Sequence, residues 1–366
     1  MNSEYRTRGS IAVVQPAVPD YRAPLFRALR ERYGSAFAVY AAATSGAGTI
    51  RTDDRVADFV RPISNVDFFG GLLTWQSGYE RELLEASLVI APGNLHFLSV
   101  PWLITRRRMM GRPTLLWGHF DGARSWAAPL RNAMFRLPDG YIAYTRTDGD
   151  KIRRIRGDDR VWVASNSCVW KEQCRPACRP GTDPKDVIIV GRLVSEKKPL
   201  LLLEAFARAA ARGTIPEQSR LVLVGDGPLR PTLLARATEL GIARRTVFMG
   251  HVSDHDRLEE LYASALVAVS PGYIGLSAIQ SFAAGVPMIV SRTEKHSPEI
   301  EACNEGVNTF FFETDSVEAL AAELGAMYAS AGEWTRRRPQ IAEAIASRYT
   351  YDGMIATFMT AIDTFT

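Results

Sequence analysis

The feature that most constrains this chain is a series of short apolar runs, rich in Val, Ile, Leu and Phe, recurring roughly every twenty to thirty residues with helix-period segments between them. Runs of that length bounded by turn residues are strands buried on both faces. Such strands belong to a parallel sheet covered by helices. The first half contains IAVVQP, FAVYAAA, SLVIAPG, TLLWGHF, GYIAYT and RVWVAS, and the second half contains DVIIVGRL, RLVLVGDG, TVFMGHV, ALVAVSPG, PMIVSRT and NTFFFE. Each set suffices for one doubly wound α/β domain, and 366 residues exceed what a single hydrophobic core usually serves.

Between the sets, CVWKEQCRPACRPGTDPKD at 168–186 is polar, rich in Pro and Cys, and without helical or strand period. The chain is therefore expected to divide into an N-terminal domain over 1–170, a linker over 171–186, a second domain over 187–345, and a C-terminal helix over 346–366 that packs back on the domains. Open α/β sheets bind ligands outside the carboxyl ends of their strands. A cleft between the two halves is the expected site.

Charge and cysteine usage exclude several classes. Forty-four basic against forty acidic residues leave a net charge of +4, too small an excess for a dedicated nucleic-acid binder. The excess sits in the first half, with 23 basic and 16 acidic residues up to position 170. Four cysteines and an N-terminus, MNSEYRTRGS, without an apolar targeting segment point to a reducing, cytoplasmic setting. Cys168, Cys174 and Cys178 have a spacing that matches no common zinc pattern, so free thiols and no metal are expected. Residues 261–291 carry no charge, long enough to span a membrane, but Pro271, Gly272, Gly275, Gln280, Gly285 and Pro287 divide the stretch into strand, loop, short helix and strand.

Two segments carry chemistry. In VIIVGRLVSEKKPLLLLEAFARAA a strand ends at Gly191 and Arg192, and Lys197 precedes a helix starting near Pro199. A guanidinium fork and an ammonium five positions apart around one turn can meet the same pyrophosphate. Two solvated surface charges are the plainer reading. In SPGYIGLSAIQSFAAGVPMIV a strand passes through a glycine loop into a helix near Leu276, and a helix start is an anion site, with Gly275, Leu276 and Ser277 as the phosphate cradle. Gly272 and Gly275 also serve simply to permit a tight turn.

Together the two segments resemble the retaining glycosyltransferases of family 4, whose GT-B fold has two Rossmann-like doubly wound domains facing across a cleft. GRLVSEKKPLLLLEAF is similar to the family's G-R-x-x-x-x-K donor-phosphate motif. LVLVGDGP, VFMGHV, the Gly-Leu-Ser loop, SFAAGVPMIV and HSPEIEACNEGVNTFFF follow in the family's order, with Glu299 at the usual acidic position. The resemblance implies that Gly191, Arg192 and Lys197 neutralise a donor diphosphate and that Gly250, His251 and Val252 line the nucleobase pocket, although His251 equally fits a surface residue. It also implies no cofactor or metal, the nucleotide-diphosphate sugar being the donor substrate. The family's E-x7-E motif is missing: Gly272 and Gln280 stand at the two glutamate positions. Glutamine can still hydrogen-bond a ribose. Glycine cannot replace a sugar-contacting carboxylate, which leaves Tyr273 or Glu294 as substitutes, a donor sugar that differs there, or a weak or inactive enzyme.

The first half resembles the same family less densely. VVQPAVPDYRAPLFRAL is similar to the start of one branch, which implies that Asp20, Tyr21 and Arg22 face the acceptor. Asn94 in APGN and His119 in LLWGHF match segments on the acceptor side, His119 at a position that approaches the donor sugar. A histidine satisfied by backbone at a strand end is the alternative there. LHFLSVPWLITRRRMMGRP, residues 95–112, joins apolar side chains to Arg106, Arg107, Arg108 and Arg112, a pattern for peripheral contact with an anionic membrane or for a half-buried helix with a solvated basic end.

These readings converge on retaining, metal-independent transfer of a hexosyl or deoxyhexosyl group to an acceptor hydroxyl on a glycan, glycolipid or small molecule, as in polysaccharide biosynthesis. A silent sugar-nucleotide binder or partner subunit is the alternative that the missing glutamates favour. A nicotinamide dehydrogenase rests only on VGDGP, since no full G-x-G-x-x-G opens a helix.

Overall fold

A computed structural model describes residues 9–44, 51–94, 96–120, 128–177 and 183–366. The chain forms two compact units, Met1–Asn166 with Tyr351–Thr366, and Ser167–Thr350. Each of the apolar runs in the sequence is a strand. Their continuous burial, visible as five buried positions of five in Ile11–Gln15, Leu88–Pro92 and Thr114–Gly118, follows from helices on both faces.

In the first unit, β1 (Ile11–Gln15), β2 (Phe37–Ala41), β3 (Val60–Pro62), β4 (Ser64–Phe68), β5 (Leu73–Ser77), β6 (Leu88–Pro92), β7 (Thr114–Gly118), β8 (Gly140–Ala143) and β9 (Val161–Val163) occur in chain order. Seven form one parallel sheet, ordered β3-β2-β1-β6-β7-β8-β9. The order reverses between β1 and β6, so the loops after these two strands diverge and open a crevice. β4 and β5 form a separate antiparallel hairpin. Its strands are only partly buried, with Thr74 and Gln76 rather than apolar side chains at the buried positions of β5. A reading keyed to continuous apolar runs passes over it.

The second unit contains β10 (Asp186–Val190), β11 (Leu221–Val224), β12 (Thr246–Gly250), β13 (Ala265–Ser270), β14 (Met288–Ser291) and β15 (Thr309–Phe312) in a parallel sheet ordered β12-β11-β10-β13-β14-β15. Here the reversal lies between β10 and β13. The uncharged stretch 261–291 is the centre of this sheet, with the short helix Ser277–Ala283 between β13 and β14. Among the described residues no helix is long and apolar enough to cross a membrane.

The unit boundaries differ from the sequence expectation at three places. Residues 167–170 belong to the second unit, where Val169 is buried in the core and Ser167 Oγ donates to the Tyr349 carbonyl at 2.8 Å. The segment read as a linker is partly built into the same unit: Ala177 is buried there and its N–H donates to Ala284. The final helix, Tyr351–Asp363, packs on the first unit, with Phe358 edge-on to Trp117 at 4.7 Å and Tyr33 donating to Asp363 at 2.9 Å. Residues 346–350 stay with the second.

The described part of the basic segment, 96–112, is built around the helix Ser99–Met109, with Arg106, Arg108, Met109 and Met110 exposed and Arg107 drawn inward. In the helix Ser99–Met109, Arg107 is wholly buried and donates to the carbonyls of Leu83, Ala86 and Pro113 and to Thr114 Oγ1. Arg108 donates to the Leu137 carbonyl and Arg112 to that of Glu85. Their guanidiniums tie down carbonyls at the ends of neighbouring elements, a use that charge patterning does not reveal. Cys168, Cys174 and Cys303 are free thiols, Cys178 lies outside the described residues, and no group of potential ligands among the described residues could hold a metal ion.

Candidate active site

The second unit gathers its candidate residues around the carboxyl ends of β12, β11, β10 and β13. Glycines sit at three of these ends because the backbones nearly touch: a Cβ on Gly225 would lie 1.9 Å from the Gly191 carbonyl oxygen, and Gly225 donates to the Gly250 carbonyl at 2.7 Å. The loop after β10 then turns through Ser195–Lys197, and Lys198 at φ +49° delivers the chain into the helix Pro199–Ala211. The Lys198 side chain forms ion pairs with Glu294 and Asp315. Glu294, one of the residues expected to stand in for the missing glutamate, makes its ion pair with Lys198.

That turn drives Lys197 inward. Its ammonium donates to the Tyr273 carbonyl at 2.9 Å and lies 3.7 Å from the centre of the Tyr273 ring. Burial, reinforced by the neighbouring Arg192 and opposed by Glu299, lowers its pKa to about 8. A lysine so desolvated, with only a distal carboxylate to offset it, is poised to take an anion. Arg192 is exposed and Gly191 packs against the lysine stem, where a Cβ would be 3.8 Å from Lys197 Cε. A Cβ on Gly275 would be 3.7 Å from Lys197 Nζ, so the second chemical segment meets the first at the ammonium.

The helix Ser277–Ala283 starts at Leu276 without a side-chain cap, so no side chain competes for its first-turn N–H groups. The loop before it is held by groups that motif reading passed over. His296 Nδ1 accepts from the Ile274 N–H at 3.1 Å while Nε2 lies 2.8 Å from the Ser291 carbonyl, and burial lowers its pKa, which keeps the ring neutral in that accepting role. Ser297 Oγ lies within hydrogen-bond reach of both the Ile274 carbonyl and the buried Glu299 carboxylate, sharing its one hydrogen between them. The H-S-P-E tetrapeptide was the available signal, but only spatial proximity assigns His296 and Ser297 to the loop.

Gly272 is the most restrictive position. A Cβ there would lie 2.0 Å from the Glu196 carbonyl oxygen and 2.8 Å from the Lys197 carbonyl carbon. Glycine here is what allows the lysine-bearing turn to close on the loop. Gln280 accepts, at 3.5 Å, from the buried Tyr262 hydroxyl. Gly250 ends β12 at φ +70°, His251 is exposed, and Val252 is half-buried against the core.

The first unit has its own cavity of about 270 Å³ at the β1–β6 reversal. It is lined by Gln15, Tyr21, Arg22, Asn94, Trp117, His119 and Tyr144 with neighbouring backbone. Four of the residues expected on the acceptor side, Tyr21, Arg22, Asn94 and His119, thus share one cavity. Asp20 does not line it: it is exposed, and its carboxylate accepts from the Tyr21 N–H at 2.7 Å. The His119 ring stacks on Tyr144, centroids 6.3 Å apart, and Asn94 accepts from the His96 N–H at 2.9 Å. Gln15, Trp117 and Tyr144 were missed because they lie within or at the ends of apolar strands.

This arrangement of two doubly wound units, the second with a half-buried lysine at its switch point, has relatives. Residues 184–330 match the glycosyl transferases group 1 family. The chain is 32% identical over 246 residues to the D-inositol 3-phosphate glycosyltransferase of Rhodococcus jostii, covering 61% of this chain and 53% of that one. It is 37% identical over 128 residues to the GDP-mannose-dependent alpha-(1-6)-phosphatidylinositol dimannoside mannosyltransferase of Mycobacterium tuberculosis, covering 34% and 32%. The matches thus span about half or less of these relatives' lengths. Anabaena Alr3699/HepE, solved in complex with UDP, superposes with a TM-score of 0.70 at 17% identity, over 97% of this chain and all of that one. The fold is GT-B, with two Rossmann-like units.

Proposed function

We propose that this chain is a retaining, metal-independent glycosyltransferase of family 4, working in the cytoplasm, that moves a hexosyl or deoxyhexosyl group from a nucleotide-diphosphate sugar to an acceptor hydroxyl during polysaccharide, glycolipid or glycoconjugate assembly. The observation that carries this reading is the desolvated Lys197 ammonium between Arg192 and the Gly275–Ser277 helix start. Negative charge develops on the diphosphate as the glycosidic bond breaks. Cations already in place stabilise that state more than the ground state. The phosphate-binding cations of the resembled family, the GDP-mannose-dependent relative, and the positive charges that this chain places at the leaving group support the reading. His119 would hydrogen-bond a sugar hydroxyl, and the departing phosphate oxygen would take the acceptor proton.

A thermal-shift screen with UDP-, GDP- and TDP-sugars in EDTA tests it. One nucleotide class is expected to raise the melting midpoint, by about 2.7 kcal/mol of stabilisation at a hundred times its dissociation constant. A protein indifferent to all three defeats the reading. The Lys197 pKa adds a pH signature. The ammonium form holds the diphosphate, so nucleotide affinity is expected to be flat below about pH 8 and to fall toward tenfold per pH unit above it. Calorimetric titration with the nucleoside diphosphate from pH 7 to 9.5 measures this, and an affinity constant across that range would remove Lys197 from the phosphate site.

A silent sugar-nucleotide binder is favoured by one observation: Gly272 leaves no room for the carboxylate that family members place there. Nucleotide-sugar binding without transfer or hydrolysis for any donor would select it.

A further inference from the structure

We propose that the first-unit cavity is an oxyanion subsite, in which Arg22 receives a phosphate or carboxylate group of the acceptor. Only the word acceptor rests on the glycosyl-transfer reading; the anion site stands on the geometry of the first unit, outside the 184–330 family match.

Arg22 follows β1 in the turn Asp20–Arg22 and is 6% exposed. Its Nη2 donates to the Tyr144 hydroxyl at 2.7 Å, and its guanidinium lies 4.2 Å from the centre of the Trp117 ring and 5.2 Å from that of Tyr144. These contacts fix the fork in place without supplying a counter-charge themselves. Among the described residues no carboxylate forms an ion pair with Arg22, and its Nη1 is buried without a hydrogen-bond partner. Trp117 Nε1 is also buried and unpartnered, and both residues line the cavity.

Buried charges are ordinarily paired, and buried donors ordinarily bonded. Arg107 shows the rule met: wholly buried, it donates to the carbonyls of Leu83, Leu84, Ala86 and Pro113 and to the Thr114 hydroxyl. Arg22 departs from it where there is space for a ligand. A phosphate or carboxylate accepting from Arg22 Nη1 and Trp117 Nε1 would supply the missing counter-charge and satisfy both donors. A cavity of about 270 Å³ is close to the lower end of ligand pockets, roughly 300 Å³, the size for a single charged sugar or similar small group.

The test uses the full chain, with melting midpoints read against glucose 6-phosphate, glucuronate and glucose. Wild type is expected to gain about 5–10 °C from one of the two anions at a hundredfold excess over its dissociation constant, and nothing from glucose. Which anion acts separates phosphate from carboxylate. Lys197→Met, which removes the donor-phosphate cation, keeps the response. Arg22→Met loses it while melting no lower than wild type, because an uncompensated buried charge has been removed. Should Arg22→Met fail to fold, Arg22→Lys keeps the charge without the fork and is expected to bind the anion at least tenfold more weakly. Indifference of wild type to both anions, or an equal response in either Arg22 variant, overturns the proposal. Nucleotide-sugar binding by the same preparations reads the glycosyl-transfer assignment separately.

Discussion

Replacing Lys197 by alanine is expected to lower sugar transfer about a hundred- to a thousandfold while the second unit remains folded. Contacts that meet charge as it develops in a dry site are worth roughly 3 kcal/mol, and Lys197 is the more desolvated of the two cations. Arg192 is exposed, so Arg192→Ala is expected to have the smaller effect. The fold survives because the lysine is a liability without ligand. Burial lowers its pKa to about 8, so the penalty of holding the ammonium is fully present below that pH. The penalty is relieved as pH rises from about 8 toward the unfolded value near 10.4. The alanine variant should therefore melt no lower than wild type at pH 7, offset only by the lost contact with Tyr273. Turnover in the purified variant within threefold of wild type would refute the phosphate assignment.

Gly272→Glu, which supplies the carboxylate that the resembled family carries at this position, is expected to abolish donor binding rather than improve it. A Cβ at 2.0 Å from the Glu196 carbonyl oxygen meets backbone, which cannot rotate away as a side chain would. The turn carrying Lys197 must move, and overpacking of this kind destabilises by about 1–3 kcal/mol. In a unit of this size that lowers the melting midpoint by roughly 2–4 °C for each kcal/mol. Melting curves and a nucleotide-sugar titration check both halves. A variant that melts like wild type and turns over faster would mean the loop has room. The glycine is then a lost catalytic group rather than a packing requirement.

Some of this was legible before any coordinates. The apolar runs are strands because a strand buried on both faces needs apolar residues at successive positions, and that pattern is written locally. Arg192 and Lys197 were legible for a related reason, since residues just beyond a parallel strand emerge at its carboxyl end. The hairpin of β4 and β5 was not, because its half-buried strands carry a mixed pattern. That Arg107 alone of the arginines in the helix Ser99–Met109 is buried was not legible either, because charge says nothing of which carbonyls lie within reach.

The sequence by itself determined two parallel α/β units, the strand ends from which the connecting loops leave, and the glycine and glutamine at positions 272 and 280. Those are consequences of composition and order along the chain. Only the tertiary structure decided that Gly272 must be a glycine, that Glu294 belongs to Lys198, and that His296 holds the loop across from Lys197. It also decided that Arg22 is a buried cation with no carboxylate paired to it among the described residues, while Arg107 is a satisfied one. Two arginines identical in sequence terms differ in what surrounds them, and burial, charge compensation and hydrogen bonding depend on neighbours that the chain brings together only on folding.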